Sequence, residues 1–198
     1  LDYVTVKIPR WDLKKFARVS KKIGSEMKSV GEVMAIGRSF EEALQKAIRM
    51  LQVGMYGFVG NENYSFKNLE KELYQPTDER LFGLAEAFKK GWSVEKVAGL
   101  TKIDPWFLYK MKGLVELEEK IRKYGLNDLP DNLALEAKKK GFSDKQLAIF
   151  TRGTEDSVRE KRENLKLRPA VKQIDTLAAE YPAWTNYLYL TYNGAEDD

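Results

Sequence analysis

"KKGWSVEKVAGLT" (residues 89–101) is matched fifty residues later by "KKGFSDKQLAIFT" (139–151). Gly91/Gly141, Ser93/Ser143, Ala98/Ala148 and Thr101/Thr151 are identical, and Trp92/Phe142, Val97/Leu147 and Leu100/Phe150 are alike in kind. Each copy spells the same local structure: a helix stops at glycine, an aromatic enters the core, serine caps a new helix, and threonine ends it before the next. Such a pair predicts a duplicated helical subdomain whose two units bury their faces on each other. The fold class expected is mainly α, with a small α/β segment in front.

From Leu69 to Lys172 the chain reads as helices with short connections. Asp104-Pro105 supplies a cap and a first-turn proline, Pro130-Asp131 starts another helix, and Thr154-Glu155-Asp156 places two carboxylates at a helix's positive end. Before this region, "DYVTVKIP" alternates apolar and polar residues, so residues 3–8 read as a strand ended by Pro9. "WDLKKF" offers one or two helical turns. "GEVMAIGR", a short apolar run between glycines, reads as a buried strand. "SFEEALQKAIRML" starts a helix with Ser39 as cap and Glu42 placed to complete a capping box. Its apolar stripe is Phe40, Leu44, Ala47, Ile48 and Leu51. The glycine-rich, aromatic "VGMYGFVGNENYSF" that follows reads as a hinge, and the tail "YPAWTNYLYLTYNG" returns to strand chemistry.

Composition limits the chemistry. Of 198 residues, 43% are hydrophobic and 12% aromatic, enough for a packed core. There is no cysteine and no histidine, which excludes disulfides, thiol catalysis, Cys/His zinc sites and His-dependent triads. Absence of cysteine suits a reducing compartment. The net charge of +4 comes from 34 basic and 30 acidic residues with the signs interspersed, which reads as a solvated surface and not a nucleic-acid patch. No apolar run approaches the ~18 residues of a membrane span. The first residues, "LDYVTVKIPRW", lack signal-peptide design and start mid-strand, as in a piece of a longer chain.

Three site readings compete. "SVEKVAGLTKIDPWFLYKMKGL" has the outline of a helix-turn-helix, and a stand-alone DNA-binding protein is the alternative function. Pro105, Trp106 and Phe107 occupy the positions where base readout needs Arg, Asn or Gln, so they read as core aromatics at a helix start. Among the carboxylates, Glu41 and Glu42 are explained by helix capping. Glu32 lies among apolar residues and, if buried, needs a partner; Arg38, Lys28 and Arg10 are candidates, for a functional role or a structural salt bridge. "GFVGNEN" and "SVGEVMAIG" lack the endings of phosphate loops.

"KIPRWDLKKF", "MKSVGEVMAIGRSFEEALQKAIRML", "LTKIDPWFLYKM", "KKGFSDKQLA" and "VKQIDTLAAEYPAWTNYLYLTYNG" together resemble the large chain of carbamoyl-phosphate synthase, in order and along all 198 residues. The resemblance implies a parent chain with two homologous ATP-grasp halves, using ATP and Mg or Mn to make carbamoyl phosphate for pyrimidine and arginine synthesis. Residues 1–52 would end the first half, 53–182 would form the helical oligomerisation domain, and 183–198 would link toward the second half. It implies no catalytic, cofactor-binding or metal-ligating residue in this stretch. Met27 and Glu32 match residues bordering the internal carbamate tunnel. Phe66, Leu69 and Leu73 are the expected oligomer contacts. The implied partners are a second copy of the chain and, through the parent, a small glutaminase chain, with neither nucleic acid nor membrane. "GMYGFVGN" and "TNYLYLTYNG" look like a bacterial, cytoplasmic version.

Overall fold

A computed structural model describes residues 2–16, 18–61, 65–178, 180–182 and 187–198. Strand β1 (Val4–Arg10) leads through a 3-10 turn (Leu13–Lys15) to β2 (Gly31–Gly37), and α1 (Phe40–Met50) follows. The helical body comprises α2 (Leu69–Tyr74), α3 (Arg80–Lys89), α4 (Val94–Thr101), α5 (Pro105–Ile121), α6 (Asp131–Lys139), α7 (Asp144–Thr151) and α8 (Glu155–Asn164). β3 (Ala170–Gln173) and β4 (Leu188–Thr191) end the chain. The fold is mainly α, as the sequence predicts.

The repeat is real at the level of backbone geometry. Gly91 and Gly141 take φ of 77° and 83°. Each closes a helix by the same two hydrogen bonds, Gly91 N to Phe88 O with Trp92 N to Ala87 O, and Gly141 N to Lys138 O with Phe142 N to Ala137 O. Ser93 and Ser143 then cap α4 and α7 by accepting from Lys96 N and Gln146 N. Thr101 and Thr151 each donate to the carbonyl four residues back, at 2.8 Å. A left-handed residue follows in both copies, Lys102 at φ 59° and Arg152 at φ 58°. Asp104 caps α5 and Thr154 caps α8. α3–α4–α5 and α6–α7–α8 are therefore two copies of one three-helix unit.

The copies differ in depth. Phe142 and Phe150 are buried and meet edge to face at 5.7 Å, whereas Trp92 is half-exposed beneath Lys96 Nζ, 3.5 Å from its ring. Arg122 and Gly60 lie against the Phe150 ring, and α1 reaches the second unit at its α6–α7 turn, where Arg49 donates to Gly141 O. Gly141 shows how closely: a Cβ there would stand 2.8 Å from the Cα of Glu42.

Several expectations need correction. β1 runs through Pro9 to Arg10, since a strand with a free edge tolerates the missing N–H. Leu13–Lys15 makes a single short turn. The helices end at Asn164, and residues 170–173 form a strand paired with β4. Trp106 and Phe107 stack on Phe40 at 5.8 and 5.2 Å but stay exposed, so they cover the end of α1 and do not fill the core. The hinge and tail stretches include residues 62–64 and 183–186, which lie outside the described residues; within the tail, Leu188–Thr191 is a strand as read.

Candidate functional site

The residues with the most concentrated polar contacts lie on α1, along the flank of its apolar stripe. Leu44, Ala47, Ile48 and Leu51 are buried as the periodicity requires, but Glu41, Glu42 and Gln45 are buried too. Ser39 accepts from Glu42 N at 3.2 Å, the first half of the expected capping box. The second half is missing, because the Glu42 side chain turns elsewhere. Its Oε2 accepts from Arg38 N at 3.0 Å, from Thr191 Oγ1 at 2.9 Å and from Asn193 Nδ2 at 2.9 Å. Its Oε1 takes Lys46 Nζ at 2.7 Å. A carboxylate only 1% exposed is thus satisfied by two donors from its own neighbourhood and two from a segment some 150 residues later.

This is where the two ends of the chain meet. Lys46 Nζ also donates to Ile36 O of β2 and to Leu190 O of β4. Arg38 Nε donates to Tyr189 Oη, the Tyr3 and Tyr189 rings lie 6.3 Å apart, and Tyr3 Oη donates to Asp175 O. Asn193 Nδ2 continues to Lys139 O at the end of α6. The incoming β1–β2 hairpin and the outgoing β3–β4 hairpin are therefore side by side, on the same end of the helical body.

A second layer ties α1 to the repeat. Gln146 Nε2 donates to Gln45 Oε1 at 3.1 Å and to Val59 O at 2.9 Å, while Gln45 Oε1 also receives Phe58 N. Gly57 leaves the room: a Cβ there would fall 2.3 Å from Gln45 Oε1. Arg49 donates to Gly141 O at 2.9 Å, and burial holds its guanidinium down at about 10. Burial alone would raise the Glu41 carboxyl, but Lys140 at 2.6 Å and Lys110 beyond it bring it below the ordinary glutamate range. In α6–α7, Asp144 is held low against its burial by Lys138 at 2.8 Å and Arg162 at 3.2 Å.

The residues singled out from sequence sit apart from this junction. Met27 precedes β2 and is 88% exposed. Glu32 is not buried: a two-stranded hairpin covers one face only, and Glu32 stands on the open one. Its partner is none of the three expected. Lys7 opposes Met34 across the hairpin, which puts it diagonal to Glu32, and the pair closes at 2.9 Å. Arg38 instead pairs with Asp2, Lys28 reaches the carbonyls of Ser20 and Lys22, and Arg10 holds Asp12 and Leu51 O. Leu69 and Leu73 point into the chain's own core, Leu73 with no exposed surface, and Phe66 packs partly against it. On α2 the exposed apolar residue is Tyr74.

The sequence reading missed the Glu42 junction. Its one available signal was a helix carrying two glutamates and a glutamine within its first turn and a half, at positions 41, 42 and 45. Among the described residues no group of three or more Asp or Glu side chains could hold a metal ion, and no helix is long and apolar enough to cross a membrane.

Residues 32–166 match the family described as the carbamoyl-phosphate synthetase large chain, oligomerisation domain. Over its full length the chain is 53% identical to the multifunctional protein ura1 of Schizosaccharomyces pombe and 54% identical to the multifunctional protein CAD of Squalus acanthias, covering 9% of each. It is 52% identical to the mitochondrial arginine-specific carbamoyl phosphate synthase large chain of Neurospora crassa, covering 17% of it. The chain thus spans between about a tenth and a sixth of the length of these relatives.

Proposed function

The chain belongs to the oligomerisation-domain family of carbamoyl-phosphate synthetase large chains, and from that premise we propose that it is the connecting and assembly region of such a synthetase. The observation that carries this reading is the Glu42 junction. One buried carboxylate holds the incoming hairpin, the first helix and the outgoing hairpin in fixed register on one end of a helical body. In a longer chain, whatever precedes β1 and follows β4 would then leave from adjacent points. The helical pair with the helix-turn-helix outline belongs to this body, as α4 and α5 of a duplicated unit.

In this reading residues 1–52 close the first ATP-grasp half, 53–182 form the oligomerisation domain and 183–198 lead toward the second half. α1 belongs to the first of these by sequence but shares its core with the helices. The parent would use ATP with Mg or Mn and receive ammonia from a glutaminase chain to make carbamoyl phosphate, while this stretch catalyses nothing. The missing cysteines fit a reducing compartment, the cytoplasm in the present reading. Met27 and Glu32 would border the carbamate route; an exposed thioether just before β2 and a Lys7-held carboxylate on its open face make a surface that a neighbouring domain could cover.

Assembly would run through α2. Leu69 and Leu73 anchor this helix from beneath, and Phe66 and Tyr74 flank it. A two-fold contact in which the same patch meets itself is the simplest arrangement. Sedimentation velocity across a concentration series tests it: the wild-type chain should shift from monomer to dimer, and Tyr74→Glu should remain monomeric with unchanged circular dichroism. A wild-type monomer at every concentration, or an unaffected dimer in Tyr74→Glu, would remove this face from the proposal.

A further inference from the structure

A groove of about 520 Å³ lies between β2, the last turns of α1 and β4. Met34, Met50, Leu188 and Leu190 stand along it, each about half exposed, so four flexible apolar side chains meet water on one face. Two cations, Lys46 and Arg49, also line it. Lys46 is fully used: its three protons go to Glu42 Oε1, Ile36 O and Leu190 O. Arg49 is not. Its Nη1 donates to Gly141 O at 2.9 Å and, more loosely, to Gln146 Oε1 at 3.4 Å, both neutral acceptors. The carboxylate that acts on it is Glu42, which Lys46 already holds. The opposite edge of the guanidinium, Nε with Nη2, makes no hydrogen bond among the described residues. The side-chain atoms there that are both buried and unpartnered are Asp78 Oδ1, Arg80 Nε and Glu118 Oε2, so the free edge of Arg49 is open to solvent.

A largely desolvated guanidinium without its own counter-ion is disfavoured, and burial already holds this one down at about 10. Nη1 has a structural task at the α6–α7 turn; the other edge has none. Nε and Nη2 are the parallel donors that a carboxylate takes side-on. The charges in the wall select its valence. Lys46 and Arg49 against Glu42, two positive and one negative, leave a single positive charge, which a monoanion balances and a phosphate dianion does not. The unbranched thioethers and leucines beside it adapt to a flexible aliphatic chain, and the volume is that of sites for small organic molecules. We propose that this groove binds a small aliphatic monocarboxylate, its carboxylate held side-on by Arg49 and its chain laid along Met34, Met50, Leu188 and Leu190.

The test uses octanoate as probe and octanamide, its neutral analogue, as control, read by the labelled methyl groups of the five methionines in NMR. Met34 and Met50 line the groove, whereas Met55 and Met111 line a separate apolar cavity of about 570 Å³ between the end of β1, α1 and the α3–α5 unit. Octanoate should shift Met34 and Met50 saturably, with Kd of about 1 mM or tighter from the per-atom efficiency of ligands this size, and leave Met55 and Met111 unmoved. Octanamide should bind about tenfold more weakly, for want of the charge-assisted pair. Arg49→Gln should bind both compounds alike. Leu188→Glu, at an exposed position in the wall, should weaken octanoate about tenfold by like-charge repulsion, and thermal melting checks that each variant folds. Absence of a saturable shift, shifts at Met55 and Met111 instead, or equal binding of the two compounds to the wild-type chain would each overturn the proposal. So would a preference for octanoate that survives in a folded Arg49→Gln, or displacement of octanoate by an equal concentration of inorganic phosphate. If Arg49→Gln does not fold, Leu188→Glu decides, and undiminished octanoate binding there overturns the proposal.

Discussion

Removing the Glu42 carboxylate is the most informative perturbation of the junction. Glu42→Ala deletes the acceptor for Arg38 N, Thr191 Oγ1, Asn193 Nδ2 and Lys46 Nζ at once. Lys46 is a quarter exposed and can turn to water, which softens its share. Thr191 is 1% exposed and has no such recourse. Breaking a buried charged group out of its network costs about 3–5 kcal/mol. For a chain of this length each kcal/mol moves the midpoint by about 2–4 °C, so Tm should fall by about 6–20 °C. Glu42→Gln keeps one acceptor and should lose about 1–2 kcal/mol. Urea unfolding followed by circular dichroism gives both values. A double-mutant cycle with Asn193→Ala should return a coupling of about 1 kcal/mol or more, since the two side chains share one hydrogen bond. A Glu42→Ala loss below about 1 kcal/mol, or zero coupling, would refute the idea that this carboxylate holds the outgoing segment.

The repeat supplies a matched pair. Gly91→Ala meets open space and pays only for its φ of 77°, about 1 kcal/mol, whereas Gly141→Ala adds a 2.8 Å clash with the α1 backbone and should cost about 3 kcal/mol; equal losses in chemical denaturation would contradict the close seating of α1. Leu73→Ala, at a side chain with no exposed surface, should lose about 2–5 kcal/mol, and Leu69→Glu should reduce helicity before it affects any dimer; full helicity in Leu69→Glu would place that residue at a surface. Acid unfolding should follow the two depressed carboxylates. Glu41 and Asp144 titrate below their ordinary 4.5 and 3.8 when folded, so at intermediate pH the unfolded chain binds more protons. Their stabilisation is complete above about pH 5 and declines as the pH falls through that range; Asp144→Asn should flatten this decline, and an unchanged pH profile in that variant would refute the assignment.

The helical unit was legible because its signals are local. Gly91, Ser93, Thr101 and their partners fifty residues on act within one or two turns, and no distant contact is needed to read them. α1 was legible only on its apolar side. Glu41, Glu42 and Gln45 have the composition of a solvated face, and what buries them comes from Lys140, Gln146, Thr191 and Asn193, about 95 to 150 residues away. Nothing in the spacing of residues 40–51 announces those partners. Glu32 failed in the opposite sense. A short apolar run between glycines suggests burial on both faces, but among the described residues β2 pairs with β1 alone and Glu32 stays exposed. The family resemblance, resting on whole stretches in order, was legible independently of either error.

The central claim is that the outgoing hairpin is locked to α1 through Glu42, and native-state hydrogen exchange tests it most directly. Amides of residues 170–173 and 188–191 should be protected in the wild-type chain at close to the level of α1. In Glu42→Ala they should lose protection first and by the larger factor, while α4 and α5 hold theirs. Fast exchange of these strand amides in the wild-type chain, or a uniform loss across hairpin and helices in the variant, would contradict it.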